Sequence, residues 1–124
     1  MDDFWKDTDV VYAYTRTQAI QDGVLVDVSE LAREAGFRWP VAVTAAVWAL
    51  VSDIPVSRQG LESTDGRMWD VLWMARWAAK RGGSEGLYDL VLRHGNKRKA
   101  TLKLHTGPGD DGSPVCTILM PDED

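Results

Sequence analysis

The amino-acid sequence predicts a single α+β domain spanning 1–124: a C-terminal three-stranded antiparallel meander packed against two longer helices, with a short N-terminal strand and short helices. Three observations carry this. Between residues 87 and 120, three runs of alternating apolar and polar residues are separated by the turn-rich stretches HGN and GPGDDGSP. Residues 41–52 (VAVTAAVWALVS) hold no charge, and residues 67–81 place Trp69, Trp73 and Trp77 at helical spacing. With 124 residues, the chain is long enough for one core and too short for two.

The chain begins with MDDFWKDTD, an acidic end expected to be flexible, as is the acidic end at 121–124. VVYAY (10–14) is β-prone and predicts an N-terminal strand. Thr15 and Gln18 then match a capping box, in which each side chain satisfies the other residue's backbone N–H. Gly23 supplies the left-handed residue that ends this helix. Residues 24–28 form a short extended run. Asp27 and Glu30 repeat the capping spacing, with Ser29 as the competing cap, and a helix at 30–35 stops at Gly36. Gln18, Asp27, Glu30 and both glycines are thus accounted for as helix punctuation. Tyr14, Arg16 and Asp22 form a polar cluster not used up by caps, and an Arg16–Asp22 pair is its simplest use.

Trp39-Pro40 opens the next helix, with proline at the first helical position where a missing N–H costs nothing. Residues 41–52, free of charge, are expected to be buried on most of their surface. Residues 53–65 are a long polar connection of the mobile or functional kind. In the helix at 67–81, Met68, Leu72, Ala75 and Ala79 line a stripe beside the tryptophans, and Arg76 and Lys80 sit within cation–π reach. The aromatic stripe reads as core edged by snorkelling cations, with a base-stacking platform as the alternative.

The meander strands fall at 87–94, 99–106 and 115–120. Alternation puts Tyr88, Leu90, Leu92 and His94 on one face, Leu102 and Leu104 on one face, and Cys116, Ile118 and Met120 on one face. Matching leucine to leucine demands an odd loop of three or five residues around Gly95-Asn96, with a bulge.

His94, His105 and Cys116 are the one tempting catalytic set, and the same alternation dissolves it. His105 points away from the face of Cys116, and His94 lies at the far end of the sheet, roughly 20 Å away. Cys116 reads as a small core residue. The single cysteine gives no disulfide framework, no metal-ligand spacing is present, and no glycine-rich phosphate loop joins a strand to a helix. Asp110, Asp111, Asp122, Glu123 and Asp124 read as solvated, Asp110-Asp111 being at most a weak contact for a hard cation. No catalytic, cofactor-binding or metal-binding residue is therefore expected, and the chain does not read as an enzyme.

No apolar run approaches the ~20 residues that span a bilayer, and the acidic start differs from a secretory signal. A cytoplasmic protein without a membrane partner is expected. The net charge of −5 hides an asymmetry: residues 1–66 carry five Lys/Arg against eleven Asp/Glu, residues 67–106 nine against three, and residues 107–124 none against five. The basic middle gathers at RHGNKRK, with Arg93, Lys97, Arg98 and Lys99, and at Arg76, Lys80 and Arg81. Such a cluster contacts phosphate backbones, or is a solvated hairpin tip whose charge is balanced by the acidic flanks.

The stretches YTRTQAIQDGVLVDVSELAREAGFRWPVAVTAAVWAL, RMWDVLWMA and LHTGPGDDGSPVCTILMP resemble an uncharacterised bacterial family of small proteins often encoded near plasmids, integrative elements and prophages. The core pattern is YTRxQAIxDGVLVDVSExAREAG. The resemblance implies accessory roles such as plasmid maintenance or countering host defence, and brings no catalytic residues. The leading expectation is a non-enzymatic protein-interaction protein, with inhibition of a host defence complex (anti-CRISPR or anti-restriction type) as one implied role. The alternatives are a nucleic-acid-binding module using residues 93–99 and an enzyme with a pocket near Tyr14, Arg16 and Asp22. A continuous basic stripe would favour nucleic acid, neutralised patches a protein partner, and a convergent pocket around Tyr14 the enzyme.

Overall fold

The structure is a computed structural model describing residues 14–124, so the expected strand at 10–14 and the acidic segment 1–9 lie outside the described residues, save Tyr14, which is in no strand. The elements in chain order are α1 (Arg16–Gln21), β1 (Leu25–Asp27), α2 (Ser29–Glu34), β2 (Val41–Thr44) and α3 (Ala45–Ser52). A 3-10 turn (Val56–Arg58), α4 (Thr64–Lys80), β3 (Glu85–His94), β4 (Lys97–Pro108) and β5 (Pro114–Leu119) follow. They form one α+β domain on a five-stranded mixed sheet of order β1-β2-β5-β4-β3.

The N-terminal punctuation is as the residues dictate. The Gln18 N–H donates to the Thr15 hydroxyl and the Thr15 N–H to the Gln18 side chain, both at 3.0 Å, so α1 begins with a capping box. Gly23, at φ +78°, then lets the chain reverse without a Cβ clash. The second helix differs from expectation. It begins at Ser29, and Asp27 makes no capping box with Glu30: its carboxylate accepts the Ser29 N–H and hydroxyl at 3.1 and 2.5 Å. Ser29 Oγ in turn accepts the Val41 N–H at 3.0 Å, which ties the helix entry to β2.

The apolar run at 41–52 is where the structure departs most from the sequence reading. It is a strand followed by an eight-residue helix, leaving α4 as the one long helix among the described residues. All four residues of β2 are buried, because β2 lies inside the sheet, antiparallel to β1 and parallel to β5. A strand covered on both faces loses the alternation that marks strands and looks like buried helix. Pro40 therefore precedes a strand, where its carbonyl accepts the Cys116 N–H at 2.9 Å. The helix start belongs to Thr44, whose hydroxyl accepts the Val47 N–H at 3.3 Å.

The long helix starts three residues before its expected boundary, capped by Ser63, whose hydroxyl accepts the Gly66 N–H at 3.0 Å. Met68, Val71, Leu72, Ala75 and Ala78 form its buried stripe, while Ala79 is exposed. Arg67 is also buried, at 2% exposure, and its guanidinium donates to the carbonyls of Leu50, Val51 and Arg93 and to Glu62. A single cation thus satisfies the open carbonyls at the end of α3, where the helix dipole favours positive charge. The stretch after residue 52 is drawn in by the same network, since Glu62 also holds Arg58 at 2.9 Å.

The antiparallel meander keeps the leucines of neighbouring strands on one face as required, although none pairs directly with another: Leu90 faces Ala100, Tyr88 faces Leu102, and Leu104 faces Ile118. The device differs from the one expected. The hairpin loop is the two residues Gly95-Asn96, and the odd residue sits inside β3, where Leu92 and Arg93 together oppose Arg98. Leu90, Leu92, Leu102, Leu104, Cys116 and Ile118 pack with α2, α3 and α4 on one face of the sheet. α1 crosses the other face.

Candidate functional site

The face crossed by α1 carries the first candidate surface. Tyr14 and Asp22 are joined, the phenol donating to the carboxylate at 2.7 Å, which raises the Tyr14 pKa. Arg16 does not pair with Asp22. Its guanidinium turns under α1 and donates to Thr117 Oγ1 at 2.7 Å and the Cys116 carbonyl at 2.6 Å. Burial lowers its pKa, and the nearby Asp27 opposes that shift. The sheet offered a better anchor than a surface carboxylate: a half-buried guanidinium needs acceptors in fixed positions.

Beside this cluster lies an open groove of about 790 Å³, lined in part by Tyr14, Asp22, Glu85, Lys103, His105 and Glu123. Most of its charged groups already have partners. Lys103 meets Glu85 at 3.3 Å and the carbonyl of Glu123, and Glu123 accepts the Thr44 hydroxyl at 2.7 Å and the Met120 N–H at 2.8 Å. The acidic end, expected to be free and solvated, is therefore fastened to the fold at Glu123. His105 projects into the groove, its ring lying against Gly107, where a Cβ would stand 2.9 Å from Cε1.

Alternation separates His105 from Cys116 as expected. His105 faces Thr117, and Cys116 faces Thr106 on the core side. His94 pairs with Lys97 at the opposite end of β4. Cys116 is buried, and burial raises its thiol pKa. Asp110 is exposed, as expected, but it is also bound to the fold: its two oxygens accept from the Arg16 N–H, the Thr17 N–H and the Thr17 hydroxyl. Among the described residues, no buried side-chain nitrogen or oxygen lacks a partner.

The second surface lies at the other edge of the sheet. The tryptophan stripe expected in the core is largely outside it. Trp69 packs partly on the core, whereas Trp73 and Trp77 are 39% and 51% exposed. Trp69 stacks on Trp73 with centroids 6.1 Å apart, Arg76 covers Trp73 at 5.4 Å, and Lys80 covers Trp77 at 4.7 Å. Arg76 also lies against Gly36, whose added Cβ would stand 2.9 Å from the guanidinium. Arg81 donates to the Leu87 carbonyl at 2.7 Å. Three of the seven candidate basic residues are thus engaged within the molecule, and the Arg93 backbone serves Arg67. Lys97, Arg98 and Lys99 are exposed and make no ion pair with another described residue.

Between the helix and the hairpin runs a groove of about 420 Å³, lined by Asp70, Trp73, Met74, Asp89, Leu90, Val91 and Lys99. Its two carboxylates interrupt the basic stripe. Leu87 and Val91, 55% and 65% exposed, stand on the solvent side of β3, the last strand of the sheet among the described residues.

With both surfaces in place, the comparison with known families decides the relationship. The chain belongs to the family of unknown function DUF6573. The match covers residues 1–124, so the family takes in both the outer groove and the β3 edge. No curated protein and no solved structure matches the chain. In this family member, no helix among the described residues is long and apolar enough to cross a membrane.

The sequence reading follows only the buried phase of β3 and so passes over Leu87 and Val91. The signal was present in GLYDLVL: Leu87 and Val91 put apolar side chains on the phase that should be polar. The capping role of Asp110 carries no comparable signal, since its partners come from α1.

Proposed function

We propose that the chain acts by binding another protein and not by catalysis. We read it as an accessory protein of a mobile genetic element, whose target is a host defence complex of the CRISPR or restriction kind. The observation that carries protein binding is the ten-residue edge strand β3, whose solvent face bears exposed Leu87 and Val91, while exposed Trp73 of α4 lines the groove on its other side. Folded proteins avoid long apolar edges unless something covers them, and Trp and Arg dominate the energetics of protein interfaces. The accessory role rests on the resemblance of the chain's motifs to proteins encoded near plasmids and prophages. Asp70 and Asp89 beside Trp73 and Lys99 speak against a phosphate track.

Purification of the tagged chain after in-cell crosslinking, from a bacterium that carries a family member, should retain one protein complex in near-equimolar amount. The double variant Trp73→Ala/Trp77→Ala should lose it. Retention of nucleic acid alone, or substrate turnover without a stoichiometric protein, would replace this reading.

A second reading attaches to the outer groove, whose Tyr14–Asp22 pair and His105 rim suit a small polar ligand. His105→Ala should then abolish saturable binding of that ligand while leaving the protein partner in place.

A further inference from the structure

We infer that the β3 edge receives an extended segment of the partner protein as a sixth strand, and that this segment has an apolar centre and carboxylates at both ends. The inference rests on the protein-binding reading and deepens it.

The backbone comes first. The Thr106 N–H donates to the Ser84 carbonyl at 2.8 Å, which sets the phase of the ladder between β3 and β4. In an antiparallel pair the bonded positions alternate, so Gly86, Tyr88 and Leu90 direct their backbone groups at Leu104, Leu102 and Ala100. Glu85, Leu87, Asp89 and Val91 direct theirs away from the sheet. The Arg81 guanidinium on the Leu87 carbonyl confirms that phase from the outside, and it must swing off that carbonyl to leave the place to an incoming N–H and turn its charge to the partner. A run of outward N–H and C=O groups at strand spacing is met by another strand and by no other regular element.

The side chains then describe the occupant. An added strand would set alternate residues on two different surfaces. One set meets Trp73, Met74 and Leu90 in the groove between α4 and β3, and the other meets Leu87 and Val91 on the solvent face. Both favour apolar or aromatic residues at the centre. The ends are basic: Lys80 and Arg81 stand near the start of β3, and Lys97, Arg98 and Lys99 stand around its hairpin. Asp70 and Asp89 lie between these ends, where a partner carboxylate would be repelled. A second copy of this chain, paired edge to edge, would bring like-charged lysines and arginines together, which disfavours self-association.

The probe is a synthetic ten-residue peptide with Ile, Val, Tyr and Thr alternating at its centre and Asp or Glu at both ends. A control carries Lys at both ends. Fluorescence anisotropy should show the acidic-ended peptide binding at least ten-fold more tightly than the control. Amide exchange followed by NMR should show new protection at Leu87, Asp89 and Val91. Leu87→Pro removes an outward N–H at an edge position that tolerates proline, and should weaken binding at least ten-fold. Trp73→Ala, on an exposed helix face, should do the same with the sheet untouched. Equal binding of both peptides, protection elsewhere, or edge amides already protected in the free chain would overturn the inference. So would a concentration-dependent dimer with the same amides covered. If these tests fail while the near-equimolar partner is still retained, strand addition alone falls. If the peptide binds but no partner is retained, the protein-binding reading falls instead.

Discussion

Asp110 and Arg16 stand 94 residues apart, and the Asp110 carboxylate accepts the Arg16 backbone N–H at 2.7 Å. The turn between β4 and β5 thereby caps the first helix, where unpaired N–H groups and the helix dipole favour an anion. The Thr17 hydroxyl, the Thr17 N–H and the Arg16 N–H all donate to this carboxylate and hold its pKa below the ordinary value. A depressed folded-state pKa contributes stability above the unfolded pKa of about 3.9, and that contribution disappears as pH falls through the folded value. Asp110→Ala should therefore lower the melting temperature at pH 7, with the gap to wild type closing below about pH 4. Melts followed by circular dichroism from pH 7 to pH 2 would show it. A gap that stays constant to pH 2 would remove the electrostatic part of the argument.

Thr15→Ala deletes the other half of the same helix start. Losing an N-cap hydroxyl costs ~1 kcal/mol, and the partner complex should still form because the β3 edge is remote in sequence and on the opposite edge of the sheet from β1. Urea unfolding measures the first expectation and crosslinked retention the second. A stable variant that no longer retains the partner would move the interaction site to α1.

Arg67 tests how the core is closed. Arg67→Met keeps the bulk of the side chain but leaves the carbonyls of Leu50, Val51 and Arg93 without their donor. Removing the charged partner from such a buried network costs roughly 3 kcal/mol or more. Urea titration of the variant should show the loss as a lowered midpoint, with exchange of the β3 hairpin amides accelerating first. A variant as stable as wild type would mean that water or relaxation replaces the guanidinium at no cost.

These cases show what the sequence could and could not convey. Local signals were legible: the Thr15–Gln18 box, the glycine after α1, the extent of the meander and the opposed faces of His105 and Cys116. Each depends on residues a few positions apart. The strand hidden in VAVT was not legible, because burial on both faces erases the period that separates strand from helix. The partners of Arg16, Asp110, Arg67 and Glu123 were not legible either, since each contact is made by segments brought together only when the sheet is assembled. The candidate interaction surface fell between these limits. Its basic residues were visible as a cluster, while the edge position of β3 depends on a strand order that local patterns do not specify.

Cys116 should be chemically quiet. Its thiol is buried on the core face, and burial raises its pKa, although the Thr106 hydroxyl at 3.7 Å and the Arg16 charge oppose the shift. Thiolate is the reactive species, so reaction with an aromatic disulfide reagent at pH 7 should be at least a hundred-fold slower in the native chain than in urea. Comparable rates would show that the β4–β5 end of the sheet opens readily.

The basic hairpin decides between a protein partner and nucleic acid. Lys97, Arg98 and Lys99 are exposed and could reach three phosphates, for which the log–log dependence of affinity on salt would have a slope of roughly −2.7 on duplex DNA. The surroundings argue against such a track. Arg76 and Lys80 are laid over tryptophan rings, Arg81 is spent on the Leu87 carbonyl, and Asp89 faces outward two residues from Val91. Asp70 adds a second carboxylate on the helix side of the same groove. A phosphate backbone leaving the hairpin would meet negative charge before it met the next free cation. The wild type should therefore show no shift of duplex or single-stranded DNA, or of RNA, even at about 0.01 M salt, where charges act over roughly 30 Å. The triple variant Lys97→Ala/Arg98→Ala/Lys99→Ala should keep its fold and lose affinity for the acidic-ended peptide. A micromolar, salt-sensitive nucleic-acid shift by the wild type, flattened in the triple variant, would reverse the assignment and make the hairpin a phosphate-binding element.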